Sequence, residues 1–358
     1  MRQNSQMLEK IKNRLRGTII HRVYALLRYE AYIIIIFKIY YNAKRGNIHK
    51  INHLIKHRIN SVVHELPKSV AIDIVSCCNL RCPLCSVPPY ITKQADNFMP
   101  FEDFKKIVDA VHIACNLSLV YAGEPFLHPN FFDMVKYCSE RYYTTTITNG
   151  TLLSSKNIEK LLDSGLDFLQ ISFDGFSRES YEKYRVGANF GKVKGNIVNL
   201  LRSKKCEKRG LPHTTITYLI NAYNEDELNK CERFFLKAGA ERFFAKAINL
   251  NVHRRTDGRK KVDLSHWLPR KNTTSLYEQS GDRIEFKTQA GGVCKTCLTP
   301  IIRCDGELLL CCHDIFNKVK IGNVFKQDFK KLWFGNHYRK LRRLAKNRKL
   351  QICKECGK

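Results

Sequence analysis

Three cysteines in the stretch "VSCCNLRCPLCSVP" (75–88) have the spacing C-x3-C-x2-C: Cys78, Cys82 and Cys85. The stretch follows a predicted β-strand, where a loop can curl three thiolates around one centre. Four thiolates complete a usual iron–sulfur cluster, whereas three leave one iron open for another ligand. Structural zinc normally has four protein ligands, and Cys77, next to Cys78, is poorly placed as the fourth. The spacing therefore favours a [4Fe–4S] cluster over zinc.

A second group of seven cysteines lies near the C-terminus, in "CKTCLTPIIRCDGELLLCCHD" (294–314) and "ICKECGK" (352–358). Ligands around an Asp-Gly turn, a helical spacer and a final C-x2-C would gather four thiolates into a closed site. Composition alone does not separate a zinc ribbon from an iron–sulfur cluster here.

The chain has 358 residues, 15 cysteines and a formal net charge of +29. Disulfide-built secreted proteins are usually short, and the N-terminus "MRQNSQMLEKIKNRLRG" lacks the apolar core of a signal peptide. We therefore expect a cytoplasmic protein whose clustered cysteines bind metal. Residues 1–68 carry 14 Lys and Arg against three acids, and residues 317–358 carry 14 against two. Such ends either attract lipid headgroups, nucleic acid or an acidic peptide, or form a solvated basic face.

The most apolar segment is "IIHRVYALLRYEAYIIIIFKIYYNA" (19–43), which five charged or histidine residues interrupt. Its longest uncharged run has seven residues, against the roughly 20 that span a bilayer. We therefore predict no transmembrane helix. The alternatives are packing against the main domain and a basic anchor at a membrane surface, that is, peripheral membrane association.

Short β-rich runs alternate with helical stretches from Lys68 onwards. This alternation predicts an α/β fold with a parallel sheet and functional loops at the carboxyl ends of the strands. The predicted strands are 69–76, 117–123, 143–150, 166–175, 213–220 and 241–250, and the predicted helices are 100–114, 130–140, 154–165, 189–204 and 224–239.

Four further stretches follow the first cysteine loop in order: "YAGEPFLHP" (121–129), "TNG" (148–150), "ISFDG" (171–175) and "YEKYRVG" (181–187). Together with the loop they resemble the radical S-adenosylmethionine (radical SAM) superfamily over about residues 70–250. The resemblance implies a partial (β/α)6 TIM-like barrel that binds a [4Fe–4S] cluster and S-adenosylmethionine (SAM). The residues it assigns to SAM binding are Leu84, Gly123, Glu124, Ser172, Asp174 and Arg185.

Two positions depart from the family pattern. Ala122 replaces the first glycine of the motif at 121–129, and Leu84 stands where an aromatic residue often packs on adenine. His128 is expected to be structural, at the start of a helix. Four other cysteines fall in or beside predicted helices and are expected to be packing residues: Cys115, Cys138, Cys206 and Cys231.

The C-terminal cysteines resemble the twitch/SPASM auxiliary-cluster domains that follow some radical SAM barrels. This resemblance implies a second [4Fe–4S] cluster held by Cys297, Cys312, Cys353 and Cys356, with Cys294 and Cys311 as substitutes. The chain ends two residues after Cys356, which favours one auxiliary cluster over two. The expected domains are a basic helical extension (1–67), the barrel (68–250), a linker or substrate loop (251–292) and a separate auxiliary-cluster domain (293–358).

The resemblance implies an enzyme that reductively cleaves SAM to a 5′-deoxyadenosyl radical, which then abstracts a substrate hydrogen. The expected substrate is a sugar or glycan-type small molecule that is oxidised or otherwise modified. This fits the single-cluster tail and a basic loop that could hold a phosphate or nucleotide: Arg254, Arg255, Arg259, Lys260 and Lys261. The alternative substrate is a peptide. The expected electron donor is a flavodoxin- or ferredoxin-like protein.

Two side chains beside the second cysteine group are candidate proton acceptors. Asp314 and His313 could take the proton that a substrate loses on oxidation, or could instead stabilise their loop by hydrogen bonds. A zinc-containing nucleic-acid-binding protein is the alternative of another class. It would explain the positive charge, but it leaves Glu124, "SFDG" and Arg185 without a role, so nucleic acid is the disfavoured partner.

Overall fold

A computed structural model describes residues 48–85, 98–207, 210–248, 265–271, 275–280, 283–287, 294, 296–314, 317–354 and 356. The apolar segment at 19–43 and the basic loop at 253–261 lie outside these residues. Among the helices that the structure describes, none combines the length and the apolar character needed to cross a membrane.

An open sheet of eight strands forms the centre of the molecule, in the order β10-β9-β1-β2-β3-β4-β5-β6. Every neighbouring pair is parallel except β9 and β10. All six predicted strands are present, and all except the fifth are shorter than predicted. The strands are β1 (Val70–Ile72), β2 (Asn116–Ser118), β3 (Tyr143–Thr148), β4 (Phe168–Ser172), β5 (His213–Ile220), β6 (Arg242–Ala247), β9 (Ile301–Ile302) and β10 (Leu308–Leu309).

Helices cover one face of this sheet. Five of them confirm predicted positions, whereas α5 was not predicted because it is only seven residues long. A basic helix, α1, precedes the barrel, and three helices follow its last strand. The helices are α1 (Ile48–Val63), α2 (Phe101–Ala110), α3 (Phe131–Ser139), α4 (Ser155–Asp163), α5 (Arg178–Tyr184), α6 (Phe190–Cys206), α7 (Leu228–Ala238), α8 (Phe329–Phe334), α9 (Asn336–Lys346) and α10 (Gln351–Lys354).

The two faces of the sheet differ in chemistry. Ile216 and Tyr218 of β5 are buried in the main core under the helices, whereas Thr215 and Thr217 alternate with them and are only partly buried. Successive strand residues point to opposite faces, so the threonines line the concave inner face. The inner face is therefore the polar one, as an open barrel that binds a ligand requires.

The C-terminal cysteine-rich region contributes two strands to the barrel sheet. Ala71 of β1 pairs with Ile301 of β9, and the amide of Asp73 donates to the Ile302 carbonyl at 2.8 Å. Strand β9 has only two residues, which is too short to predict from sequence. This pairing fixes the second cysteine group relative to the first.

The expected linker between barrel and cysteine tail contains regular structure. A 3-10 turn spans Ser265–Trp267, and strands β7 (Tyr277–Ser280) and β8 (Arg283–Phe286) pair as an antiparallel hairpin. The carbonyl of Trp267 accepts from the amide of Ala222 at 3.0 Å, which attaches this segment to the barrel.

Candidate functional site

The loop after β1 carries the first cysteine group at the carboxyl end of the sheet. Cys78, Cys82 and Cys85 are all half-buried. The amide of Leu80 lies 3.4 Å from the Cys78 sulfur, and Nη1 of Arg185 lies 3.6 Å from the Cys82 sulfur. Burial raises the pKa of both thiols, and these N–H donors oppose that shift by stabilising the thiolate form, which is the form that binds iron. The loop therefore has the donor set that a [4Fe–4S] cluster needs.

Gly123 holds the loop after β2 against the cysteine loop. Its φ is +75°, and a Cβ there would lie 2.3 Å from the carbonyl oxygen of Cys77 and 2.5 Å from that of Val75. The next amide, that of Glu124, donates to the Cys77 carbonyl at 2.8 Å. Only glycine allows so close an approach at this φ. The predicted SAM-binding motif and the cysteine loop therefore form one structural unit.

The Glu124 carboxyl group is buried and joins two of the predicted motifs. It accepts from Oγ1 of Thr148 at 2.6 Å, from the amide of Asn149 at 2.7 Å and from the amide of Phe126 at 3.3 Å. Burial raises the pKa of Glu124 to about 7, although these hydrogen bonds oppose the shift. A carboxylate offers about four acceptor positions, so one remains for a ligand. The nearby amide Nδ2 of Asn149 also lies 3.8 Å from the Cys78 sulfur, a contact that we did not predict.

Asp174 and Arg185, both predicted to bind SAM, are paired with each other. Nε of Arg185 donates to Oδ2 of Asp174 at 2.6 Å, and Oδ1 accepts from the amide of Leu219 at 2.6 Å. Asp174 is fully buried, so the paired arginine compensates its charge. Ser172 lies on the inner face, with its Oγ 3.4 Å from Oγ1 of Thr217.

An apolar cluster packs against the cysteine loop, and we call it the apolar cover. Leu84 is buried in it, and the side chains of Cys82 and Leu219 pack against it. Three of its six buried residues come from the expected linker, a contribution that we did not predict. The signal in the sequence was a tryptophan, one of two in the chain, within an otherwise polar segment. The buried members are Leu84, Tyr184, Ile248, Trp267, Leu268 and Tyr277.

His128 and three of the four cysteines in or beside helices have the structural positions that we expected. Nε2 of His128 lies 2.9 Å from the Met99 carbonyl, and its Nδ1 accepts from the amide of Asn130 at 3.1 Å. Both ring nitrogens thus contact the backbone. Cys115, Cys138 and Cys231 are buried, whereas Cys206 is exposed at the last residue of α6 and does not pack.

A second site lies at the C-terminal cysteines, which line a narrow pocket of about 30 Å³. Cys311 lines this pocket, but Cys312 does not. Cys312 instead packs beside Tyr121 and Leu309, and its carbonyl accepts from the Tyr121 hydroxyl at 3.2 Å. The five pocket cysteines are Cys294, Cys297, Cys311, Cys353 and Cys356.

Cys297 differs from the other four pocket cysteines because it is fully buried in the main core. Its thiol lies 3.5 Å from the Cys294 carbonyl and 3.8 Å from the Arg342 carbonyl, and burial raises its pKa to about 11. Burial also raises the pKa of Cys311, to about 12, so a raised pKa does not distinguish ligands from other thiols here. Cys297 therefore stays a candidate ligand beside the half-buried Cys294, Cys311, Cys353 and Cys356.

The two candidate proton acceptors occupy different positions. The Asp314 carboxylate accepts from the amides of Lys318 at 2.7 Å and Val319 at 3.0 Å, so it caps the loop in the way that the structural alternative predicts. His313 lines the cysteine pocket beside Cys311. Among the described residues, no group of three His, Cys, Asp or Glu side chains converges on one metal ion.

Comparison with known proteins identifies two domains. Residues 72–235 match the model of the radical SAM superfamily, and residues 294–357 match that of the SPASM iron–sulfur cluster-binding domain. The chain is 24% identical over 320 residues to the tungsten-containing aldehyde ferredoxin oxidoreductase cofactor-modifying protein of Pyrococcus furiosus, covering 81% of this chain and 87% of that protein. It is 28% identical to the PqqA peptide cyclase of Granulibacter bethesdensis over 180 residues, 50% of this chain but only 46% of that protein.

Two solved structures share the fold. Streptococcus suis SuiB bound to precursor peptide SuiA has a TM-score of 0.58 at 18% identity, covering 82% of this chain and 71% of that chain. The protein anSMEcpe with bound AdoMet has a TM-score of 0.58 at 21% identity, covering 78% and 84%. Both confirm the partial barrel architecture.

Proposed function

Since this chain is a radical SAM enzyme with a C-terminal SPASM domain, we propose that it reductively cleaves SAM and uses the 5′-deoxyadenosyl radical to abstract hydrogen from a polar small molecule. The observation that supports this most directly is the close contact of Gly123 and Glu124 with the backbone of the cysteine loop. It brings the thiols that would bind iron next to the motif that would bind the cosubstrate.

Two sets of cysteines would hold the two [4Fe–4S] clusters. Cys78, Cys82 and Cys85 would bind the first and leave one iron open, while the pocket cysteines would bind the second. Burial raises the pKa of Cys78 to about 11 and that of Cys311 to about 12, so binding iron must release protons from these thiols. Cluster loading is therefore coupled to pH.

The chain positions SAM from three directions. Glu124 would accept from its amino group, Ser172 would contact the ribose, and the remaining donors of Arg185 would face its carboxylate. A guanidinium has five N–H donors, and Asp174 and Cys82 use only part of them. Asp174 thus orients Arg185, which is a positioning role.

The apolar cover would exclude water from the radical. Leu84, Tyr184 and Trp267 are all buried, and the Tyr184 and Trp267 rings meet edge-on with centroids 5.5 Å apart. Water exclusion is needed because a reactive intermediate is otherwise lost to side reactions.

The inner face supports a polar, anionic small-molecule substrate of the sugar type. Gln170 of β4, Thr215 of β5 and Arg242 of β6 are register partners in one row. Arg242 and Lys246 are exposed, while Phe243 between them packs against the core, so both cations project from the inner face. Cations at that position would bind a phosphate or carboxylate.

A peptide substrate is the second candidate, and relatives named PqqA peptide cyclase favour it. Incubation of the loaded enzyme with a phosphorylated-sugar library and with peptide candidates would separate the two. Deuterium transfer into 5′-deoxyadenosine would identify the class that is attacked. We further propose a cytoplasmic location, where thiols remain reduced, and a flavodoxin- or ferredoxin-like electron donor.

The first experiment is anaerobic purification, an iron and sulfide count, and incubation of the dithionite-reduced enzyme with SAM. We expect about eight irons per chain, as two [4Fe–4S] clusters require. We also expect 5′-deoxyadenosine from the wild type and none from Cys82→Ala. Zinc in place of iron, with no SAM cleavage, would contradict the proposal and favour the nucleic-acid alternative.

A further inference from the structure

The two basic ends of the sequence meet on one side of the folded chain. Nε1 of Trp333 donates to the Glu65 carbonyl at 2.7 Å, and the rings of His64 and Phe334 lie 6.0 Å apart. Two adjoining cavities of about 350 and 550 Å³ open between α1 and the helices α8 and α9. We call them together the basic groove, lined by Lys56, His64, Lys330, Arg339, Arg343 and Lys346.

The basic groove carries a large excess of positive charge. Glu65 is the one carboxylate among its described lining residues, and it is already paired with Lys346 and with Arg342. Lys56 and Lys330 project into solvent from opposite walls of the groove, one from each end of the sequence. The groove therefore presents uncompensated cations to whatever approaches it.

One helix separates the basic groove from the pocket of the second cysteine group. The side chains of Arg342 and Lys346 line the groove, while their backbone carbonyls contact the segment that carries Cys294 and Cys297. The Arg342 carbonyl lies 3.8 Å from the Cys297 thiol, and the Lys346 carbonyl accepts from the amide of Cys294 at 3.0 Å. An α-helix is roughly 10–12 Å across with its side chains. The groove is thus the basic surface directly behind the auxiliary site.

The chain's own N-terminal segment does not supply the missing negative charge. Residues 1–47, which precede α1, carry ten Lys and Arg against two Glu. A segment of this sign offers no net counter-charge to the groove, so a partner that complements the groove would be another molecule.

We propose that the basic groove docks an acidic one-electron carrier protein of the flavodoxin or ferredoxin type, which delivers an electron next to the auxiliary site. This inference rests on the proposed function, because SAM cleavage needs a one-electron reductant. The carrier loses one electron and the enzyme gains it, with no bond made or broken. A concave groove receives protruding acidic side chains, whereas a flat anionic membrane would contact only its rim. Charge complementarity of this kind raises association rates and weakens with salt.

The test compares two double charge reversals in the full-length, iron-loaded enzyme. Lys56→Glu/Lys330→Glu alters the groove, and Lys192→Glu/Lys237→Glu makes the same charge change on α6 and α7, on the β5–β6 side of the sheet. Binding of a purified acidic flavodoxin is measured at 50 and 300 mM salt. SAM cleavage is then measured with reduced flavodoxin and, separately, with dithionite.

We expect the groove variant to bind flavodoxin at least about tenfold more weakly and to lose flavodoxin-driven cleavage while keeping dithionite-driven cleavage. The control variant should match the wild type in both. Equal binding by the two variants, or binding that salt does not weaken, would overturn the docking proposal. So would groove-dependent binding of phosphatidylglycerol vesicles or RNA without flavodoxin binding. Failure of wild-type cleavage with dithionite would count against the proposed function, and flavodoxin binding would still decide the docking.

Discussion

The Arg185 guanidinium donates to the buried Asp174 carboxylate at 2.6 Å while Nη1 lies 3.6 Å from the Cys82 sulfur. One side chain therefore connects the end of β4 to the cysteine loop. Because Asp174 also accepts from the backbone of β5, the position of this arginine is fixed by two strands. Changes at this pair should affect SAM binding and the cysteine loop together.

Arg185→Lys should weaken SAM binding by about tenfold or more, because lysine keeps the charge but loses the planar fork. Asp174→Asn, which keeps the shape but not the charge, should weaken it less. Equilibrium dialysis with labelled SAM measures both effects. Iron content serves as the control, since a variant that merely fails to fold would lose iron as well. Unchanged SAM affinity in Arg185→Lys would remove this residue from the cosubstrate site.

Cys311→Ser and Cys312→Ser form a matched pair of neighbours. Of the two, Cys311 lines the pocket of the second cysteine group and Cys312 does not. Cys311→Ser should therefore lower the iron content from about eight to about four per chain, whereas Cys312→Ser should keep about eight. Iron analysis and electron paramagnetic resonance of the reduced proteins give the result. The reverse outcome would restore Cys312, which the family resemblance indicated, as the ligand.

Gly123→Ala should displace the cysteine loop, because its Cβ would overlap the Cys77 and Val75 carbonyl oxygens. We expect strongly reduced SAM cleavage and loss of the first cluster. Gly239→Ala is the control: its φ is +109°, yet nothing lies within 4 Å of the added Cβ. If both variants lose activity equally, backbone strain alone explains the effect and the close approach does not.

Lys50→Met should lower the free energy of unfolding by about 3–5 kcal/mol. Nζ of Lys50 lies 2.6 Å from Oδ2 of Asp167, and both side chains are buried, so removing the lysine leaves a buried charge unpaired. Urea unfolding followed by circular dichroism measures the change. Lys106→Met, which breaks an exposed pair with Asp103, should lower the free energy of unfolding much less. An equal loss of unfolding free energy in the two variants would show that burial of the ion pair does not increase its effect on stability.

Asp73→Asn should change how stability depends on pH. Burial raises the pKa of Asp73 from 3.8 to about 7, despite hydrogen bonds from Ala122 and Ser76. The folded state therefore holds a proton that the unfolded state releases, so this residue's contribution is full below about pH 4 and is lost as pH rises to about 7. The melting temperature of the variant minus that of the wild type should therefore increase as the pH rises from 5 to 8. A constant difference across that range would contradict the shift.

Much of the site could be predicted from the sequence because its signals are local or periodic. Cys78, Cys82 and Cys85 lie within eight residues of one another, and short β-rich runs between helical stretches located the six barrel strands. The order of the motifs then indicated the family. Each of these features depends on residues that are close in sequence, so it can be recognised without knowledge of the tertiary structure.

Other features depend on residues far apart in sequence, and only the tertiary structure decided them. The strand pairing of Ala71 with Ile301, the packing of Trp267 on the cysteine loop and the meeting of Glu65 with Trp333 each join segments that are many residues apart. Which of two adjacent cysteines faces a pocket depends on the direction of the chain at that point. Spacing cannot supply this direction, because neighbouring side chains point to opposite sides and only packing selects between them.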